Sequence, residues 1–228
     1  TFFEKLEKKL FWAGNEISEY DNKIPSNLTA EEILIRSSNI GSVRIAQLVG
    51  IDKYKSFLKK IGILEKIEFD IDEVGQPISS RWGKCKLATS SFGHGITTTP
   101  LQLAKAYSII SNGGYDVSPT INKSDKNYIK NKILNENGIK KINPILRKVV
   151  STKEGTAHFA DVNGYDVGGK TGTADKVKNG VYTKDKINTF VSIFPISKPK
   201  FVLIILLDEP KASKDYIYHY RDGRPPYK

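Results

Sequence analysis

Apolar positions recur along this chain with two different periods, and the change of period divides it. Up to about residue 155 they follow the three-to-four spacing of helices, and beyond residue 164 they alternate as in strands. Thr29-Ala30-Glu31-Glu32 forms a capping box that opens a helix through "ILIRSSNIGSVRIAQLVG", with Ile33, Leu34, Ile40, Val43, Ile45 and Leu48 supplying apolar faces. Ser37-Ser38-Asn39 therefore falls within or between helical turns. Asp52 caps a second amphipathic helix, "KYKSFLKKIGI", which Gly62 ends. The next stretch, "EKIEFDIDEVGQPISSRWGK", has little periodicity and reads as loop with short extended pieces. Thr99-Pro100-x-Gln102 then supplies a cap, a proline at the first helical position and a glutamine at the third. That helix runs through Leu101, Leu103, Ala104, Tyr107 and Ile110 to Gly113-Gly114. A Lys/Asn-rich link leads to a further helix around "NPILRKVVSTKEG".

In the last third, "GYDVGGKTGTADKV", Asn179-Gly180, "VYTKDKINTFVSIFPI" and "PKFVLIILLDEP" read as extended segments joined by tight turns, Asn-Gly being a strong hairpin signal. The pattern predicts an α+β fold, an antiparallel sheet flanked by helices. Composition agrees: 228 residues, 39% hydrophobic and 27% charged, suit one sizeable core or two small domains. The net charge of +11 comes from cations interleaved with acids, as in "EKLEKK" and "DKYKSFLKK". This argues against a nucleic-acid groove and leaves attraction to an acidic polymer or membrane surface as the better account. The longest apolar run, "FVLIILL", is far short of the roughly 20 residues of a membrane helix. One cysteine, Cys85, allows no internal disulfide and is expected as a packed thiol. The three histidines show no metal-ligand spacing, and His94 between two glycines reads as a loop residue. Trp12 and Trp82 read as packing anchors. A start without Met on "TFFEKLEKKL" and an end on "RDGRPPYK" suggest a fragment of something longer.

Gly164 to Thr171 fits G-x-x-x-x-G-K-[ST], the phosphate-cradling loop, and "VLIILLDE" resembles a strand ending in a magnesium-binding acid. The mechanism, however, needs the Lys and Thr to open a helix whose amides face the phosphates. After Thr171 the chain continues "GTADKVKNGVY", where Gly172 and Asn179-Gly180 break any helix. An edge strand suits the same residues better. Alternation sends Lys170 and Gly172 to one face and Thr171 and Thr173 to the other, with free backbone groups able to pair with an extended peptide. Gly172, without a side chain, lets such a peptide lie close.

Lys170-Thr171-Gly172-Thr173-Ala174, preceded far upstream by Ser37-Ser38-Asn39 in a helical setting, closely resembles the transpeptidase domain of class B penicillin-binding proteins. "SFGHGITTTPLQLAKAYSIISNGG", "EGTA" at Glu154 to Ala157, "GGKTGTADK" and "LDEPKA" are similar to its septal, cell-division branch. The resemblance implies a penicillin-binding, serine β-lactamase-like fold and a D,D-transpeptidase reaction. In that reaction a serine opens on a D-alanyl-D-alanine carbonyl of a peptidoglycan stem peptide, and a neighbouring stem peptide aminolyses the acyl-enzyme. It further implies that Ser37 relays a proton to the leaving amine and that Asn39 holds the base lysine and the substrate amide. Lys170 supplies positive charge near Ser37, Thr171 and Thr173 hold the substrate carboxylate against the open Gly172, and the Thr173 N–H donates to the oxyanion. No metal or organic cofactor is implied. Stem peptides, β-lactam antibiotics and divisome membrane proteins are the implied partners, and a bacterial inner membrane with the catalytic domain in the periplasm is the implied location.

One part of that pattern is missing. No Ser-x-x-Lys precedes Ser37; "SFLK" (Ser56 to Lys59) and "SKPK" (Ser197 to Lys200) lie downstream, in the wrong order, and read as chance matches. The expectation is a partial transpeptidase domain over 1–228, helical over about 29–155 and sheet over about 164–208, without its nucleophile helix, membrane anchor and closing C-terminal helix. A serine β-lactamase or penicillin-sensing relative and a non-catalytic division scaffold are the alternatives. Without the resemblance, Ser37 and Asn39 would simply satisfy local backbone groups in a bent helix and Lys170 would guard an edge strand.

Overall fold

A computed structural model describes residues 1–78, 81–123, 131–178 and 180–211. Asn179 of the expected hairpin, part of the Lys/Asn-rich link, and the tail from residue 212 lie outside these. The architecture is α+β with antiparallel sheets, as the patterning predicts. Two small two-stranded sheets open the chain. Strand β1 (Phe2–Phe3) pairs with β4 (Leu28–Thr29), and β2 (Lys9–Trp12) pairs with β3 (Asn15–Ser18).

Helix α1 (Ala30–Arg36) begins at Thr29, whose side chain accepts from Glu32 N while the Glu32 carboxylate accepts from Thr29 N, completing the capping box. It stops at Ser37, and α2 (Asn39–Val49) starts at once from Ser38. Next, α3 (Ile51–Lys60) has Gly50 as its cap, not Asp52, which sits in the first turn. Gly50 ends α2 and starts α3 at φ 81°, a conformation that glycine adopts without strain. Helix α4 (Lys84–Ser91) has no counterpart among the elements expected from sequence, because it begins at Gly83 without a side-chain cap and carries little apolar periodicity. Cys85 on α4 is exposed, its sulfur accepting from Asn15 Nδ2 at 3.3 Å; a packed thiol is therefore wrong for it.

Helix α5 (Pro100–Ser111) starts at Thr99 with Pro100 in its first turn and a second capping box through Gln102. That glutamine is fully buried, its amide donating to Glu65 O at 2.7 Å, so it ties the loop after α3 to α5. Helix α6 (Glu136–Ser151) begins seven residues before the expected start at Asn143, with Asn135 as cap. Pro144 lies within it on the exposed side, while Ile139, Leu146, Val149 and Val150 keep one buried face. The continuous apolar stripe outweighs the single lost hydrogen bond.

The main sheet holds β5 (Gly168–Lys178), β6 (Val181–Phe194) and β7 (Phe201–Asp208), all antiparallel, in the order β5-β6-β7. Lys178 pairs with Val181, and Gly180 at φ 79° turns the hairpin. Among the described residues β5 is thus an edge strand.

Among the described residues four apolar clusters hold these parts together, and two of them flank the α1–α2 turn. One gathers β2, β3 and α2 around Leu10, Ile17, Ile40 and Val43; the other gathers Ile35 of α1 with Val149, Val150 and Ala157 and with Phe190 of β6. Ile35 and Ile40 anchor the two sides of the α1–α2 turn in different cores, so its path is set from both ends. Among the described residues no helix is long and apolar enough to cross a membrane.

Candidate active site

The α1–α2 turn leaves one serine half-buried and buries the next completely. Ser37 adopts the left-handed conformation, φ 56° and ψ 44°, which costs a non-glycine residue roughly 1–2 kcal/mol. Its N–H still closes the helix onto Leu34 O at 3.3 Å. Ser38 is fully buried; its hydroxyl accepts from Gly41 N at 2.9 Å and donates to Glu19 Oε1 at 2.5 Å. The Glu19 carboxylate, arriving just after β3, also accepts from Asn39 N at 2.8 Å and Ile40 N at 3.2 Å. A carboxylate at a helix N-terminus is where the helix dipole favours it. Asn39 Nδ2 donates to Ser18 O at 3.0 Å, and the Tyr20 hydroxyl donates to Arg36 O at 2.7 Å. Residues 18–20 thus brace the turn along its length.

With Ser38 and Asn39 committed to that brace, Ser37 turns its hydroxyl to β5. Lys170 Nζ lies 2.9 Å from Ser37 Oγ and 2.9 Å from Thr171 O, joining residues 133 positions apart in sequence. Burial pushes the Lys170 ammonium down to about 8 from its ordinary value, and no charged neighbour among the described residues offsets it. Lys170 is therefore poised to exchange a proton near neutrality.

Thr171 points to the other face of the strand, where its hydroxyl meets that of Thr156 at 2.7 Å. Thr156 reaches there because Gly155 folds tightly against the end of α6. A Cβ on Gly155 would stand 2.1 Å from Val149 O, and Thr156 N goes on to donate to Ile35 O at 3.3 Å. Gly172 differs. A Cβ there would meet nothing closer than Thr189 Cβ at 4.0 Å, so no internal contact demands glycine and the space beside the strand is open. Gly172 and Thr173 are both exposed at the edge.

The structure thus brings Ser37 and Lys170 into contact and lines up Thr171, Gly172 and Thr173 along the adjoining edge. Asn39 lies beside them, with its amide nitrogen held by β3. Sequence reasoning missed Glu19 and Thr156. Thr156 sat inside the quoted "EGTA", whereas nothing around Glu19 marks it before the chain is folded. Of the two downstream Ser-x-x-Lys matches, Lys59 is ion-paired to Glu65 at 3.2 Å on α3, and Ser197 N donates to Asp166 Oδ2 at 2.9 Å in the turn before β7. The phosphate-loop reading fails as well, since Lys170 and Thr171 continue an 11-residue strand and open no helix. Asp208 at the end of β7 is paired to Lys176 at 2.8 Å. Among the described residues no group of His, Cys, Asp and Glu could hold a metal ion.

Comparison with known proteins finds similarity over most of the chain. The chain is 33% identical over 198 residues to "Stage V sporulation protein D" of Bacillus subtilis, covering 80% of this chain and 30% of that protein. It is 32% identical over 197 residues to "Probable peptidoglycan D,D-transpeptidase FtsI" of Caulobacter vibrioides, covering 82% of this chain and 33% of that one. The chain therefore spans about a third of the length of these curated relatives. Among solved structures, the transpeptidase domain of Burkholderia pseudomallei penicillin-binding protein 3 superposes with a TM-score of 0.84 at 27% identity, over 92% of this chain and 64% of that one. Residues 4–222 match the model described as penicillin binding protein transpeptidase domain, and the chain belongs to that family.

Proposed function

We propose that this chain is part of a serine D,D-transpeptidase that cross-links peptidoglycan stem peptides during septal wall synthesis and is acylated by β-lactams. The observation that carries the reading is the 2.9 Å contact between Lys170 Nζ and Ser37 Oγ beside an open strand edge. A stem peptide ending in D-alanyl-D-alanine would lie along β5 against Gly172, its backbone adding to the sheet edge. Thr173, exposed at the edge, would meet its carboxylate and, through its N–H, the oxyanion, a contact whose loss typically costs ~10²–10³ in rate. Thr171 would share its hydroxyl between Thr156 and the carboxylate. Ser37 and Lys170 would pass a proton to the departing D-alanine amine, and a lysine held near neutrality by burial serves that step. Asn39, released from Ser18, would reach the substrate amide and the base lysine.

The acylated serine of this scheme is not Ser37. No Ser-x-x-Lys precedes Ser37 within these residues, and we assign the nucleophile and its lysine to sequence ahead of them. In the whole protein, a membrane anchor, a periplasmic catalytic domain and divisome membrane partners complete the reading. The test is intact-protein mass spectrometry after incubation with benzylpenicillin, on this chain and on a version extended upstream through its natural coding sequence. The expected result is a stable adduct on the extended protein alone, mapped to a serine ahead of Ser37. Rapid turnover of penicillin without a lasting adduct would point to a β-lactamase. A folded extended protein that never reacts would leave a scaffold.

A further inference from the structure

A cleft that shares no residue with the candidate active site runs beside α3. Its larger part, about 610 Å³, lies between the end of α3, the chain just after it and residues 116–119. A second hollow of about 420 Å³ adjoins it, the two sharing Ser56 and Lys60. Both volumes are those of ligand pockets. The walls are fixed from inside. Gln102, fully buried on α5, donates to the carbonyls of Gly62 and Glu65 at 3.3 and 2.7 Å. One turn further along α5, Lys105 pairs with Asp116 at 3.3 Å. Just beyond the rim, Asp70 accepts from the Thr120 hydroxyl at 2.5 Å and from Ile121 N at 2.6 Å. Both walls are thus tied to α5 and to each other, and a ligand would not have to order them.

Charge inside the cleft is unevenly matched. Lys59 is paired with Glu65 at 3.2 Å and Lys105 with Asp116, but Lys60 and Lys66 have no ion pair or hydrogen bond among the described residues. The helix dipole accounts for cations in the last turn of α3. It does not account for Lys66, which lies beyond the helix and lines the same cleft. The adjoining hollow is apolar in character: Phe57, 42% exposed, lines it together with Ile133 and Leu134.

We propose that this cleft docks an acidic peptide segment of a partner protein, with carboxylates on Lys60 and Lys66 and one large apolar side chain in the hollow beside Phe57. A uniform polyanion fits less well. The carboxylates of Glu65, Glu68 and Asp116 stand among the cations and would repel an unbroken row of negative charge, which also offers nothing to the apolar hollow. A peptide with spaced acids and an apolar anchor matches both parts, the lysines steering its approach and the anchor holding it. The inference does not depend on the transpeptidase reading.

The experiment titrates the 228-residue chain into a dye-labelled peptide, Glu-Asp-Glu-Phe-Glu-Glu, followed by fluorescence anisotropy in about 0.1 M salt. The expected result is saturable binding that weakens at least about tenfold when Lys60→Glu and Lys66→Glu are combined. A loss of about tenfold is also expected in Phe57→Ser, and again when serine replaces the phenylalanine of the peptide. Lys198→Glu with Lys200→Glu makes the same charge change on exposed lysines in the turn before β7 and should bind as the parent chain does. The proposal is overturned by the absence of saturable binding, by equal losses in the two charge-reversed pairs, or by a serine peptide that binds as well as the phenylalanine one. Inorganic polyphosphate or phosphatidylglycerol vesicles that bind through Lys60 and Lys66 more tightly than the peptide would assign the cleft to another ligand and overturn it too. The penicillin adduct expected on the extended protein should form equally with Lys60→Glu and Lys66→Glu in place, so the two readings fail separately.

Discussion

Two lysine environments on the same strand show how one sheet serves two purposes. At the near end of β5, burial alone holds Lys170 down to about 8, and its contacts are a hydroxyl and a carbonyl. Eight residues on, Lys178 pairs with Asp185 at 2.7 Å and Glu209 at 3.0 Å, and its ammonium is raised by those carboxylates. Lys176, at the bulge between them, reaches Asp208 and Glu209 at 2.8 Å each, and Lys186 pairs with Asp175. The far end is a solvated ion-pair lattice that ties three strands together, whereas the near end, among the described residues, holds a cation without a counter-ion. Charge is satisfied where it shapes the sheet and left unsatisfied where chemistry is expected, which is how perturbed groups come to mark functional sites.

The largest effect should come from the turn that sets up the near end. Gly155→Ala places a Cβ 2.1 Å from Val149 O and should destabilise the chain by about 3 kcal/mol or more, read as a lower midpoint in urea. Gly172→Ala is its counterpart: stability should stay within about 0.5 kcal/mol, while penicillin acylation of the extended protein should fall. Equal losses of stability at both sites would erase the distinction between a glycine required by the fold and one kept for a ligand.

Next in size is Lys170→Met. A lysine whose folded pKa lies below its unfolded value binds its proton less tightly when folded, so the cost of burying the charge is fully present below about pH 8 and is relieved as pH rises towards the unfolded value near 10.5. The substitution should therefore stabilise the chain at pH 7 by on the order of 2–3 kcal/mol, offset in part by two lost hydrogen bonds. The gain should shrink as pH rises through that window. A destabilised variant at pH 7 would mean that the cation is better solvated than its burial implies.

The smallest effects belong to the far end. The carboxylate of Glu209 is held down to about 2, chiefly by hydrogen bonds from Lys176 and Lys178. Its contribution is complete above the ordinary glutamate range and is lost as pH falls from about 4.5 towards 2. Glu209→Gln should blunt the acid-induced loss of stability in that window, and about 1 M salt should produce much of the same change in the parent chain. A pH 7 effect rivalling that of Lys170→Met would invert the comparison.

Much of this was legible in the chain. Both capping boxes were readable because a cap and its partner lie three residues apart, and the strand carrying Lys170 because alternation and Asn-Gly are local signals. The motif pair of Ser37 and Lys170 was readable only through resemblance, since no local rule links residues 133 apart. Other features depend on tertiary context. Glu19 reads as an ordinary hairpin acid until the fold sets it against the start of α2. Helix α4 forms by packing Leu87 and Ala88 despite a polar sequence and no cap. Gly50 took the capping role from Asp52 because one glycine could both end α2 and open α3. The start of α6 was hidden by Pro144, whose place on the exposed side is fixed by what the opposite face buries.

The most direct test is the titration of Lys170 itself, followed by NMR through its side-chain Cε and Nζ signals and assigned with Lys170→Met. One lysine should titrate near pH 8, while Lys176 and Lys178 remain protonated beyond the ordinary lysine range. A Lys170 that titrates with the bulk of the lysines, at or above about 10.4, would contradict this, showing that the near end of β5 is solvated like the far end and that the contact with Ser37 carries no poised proton.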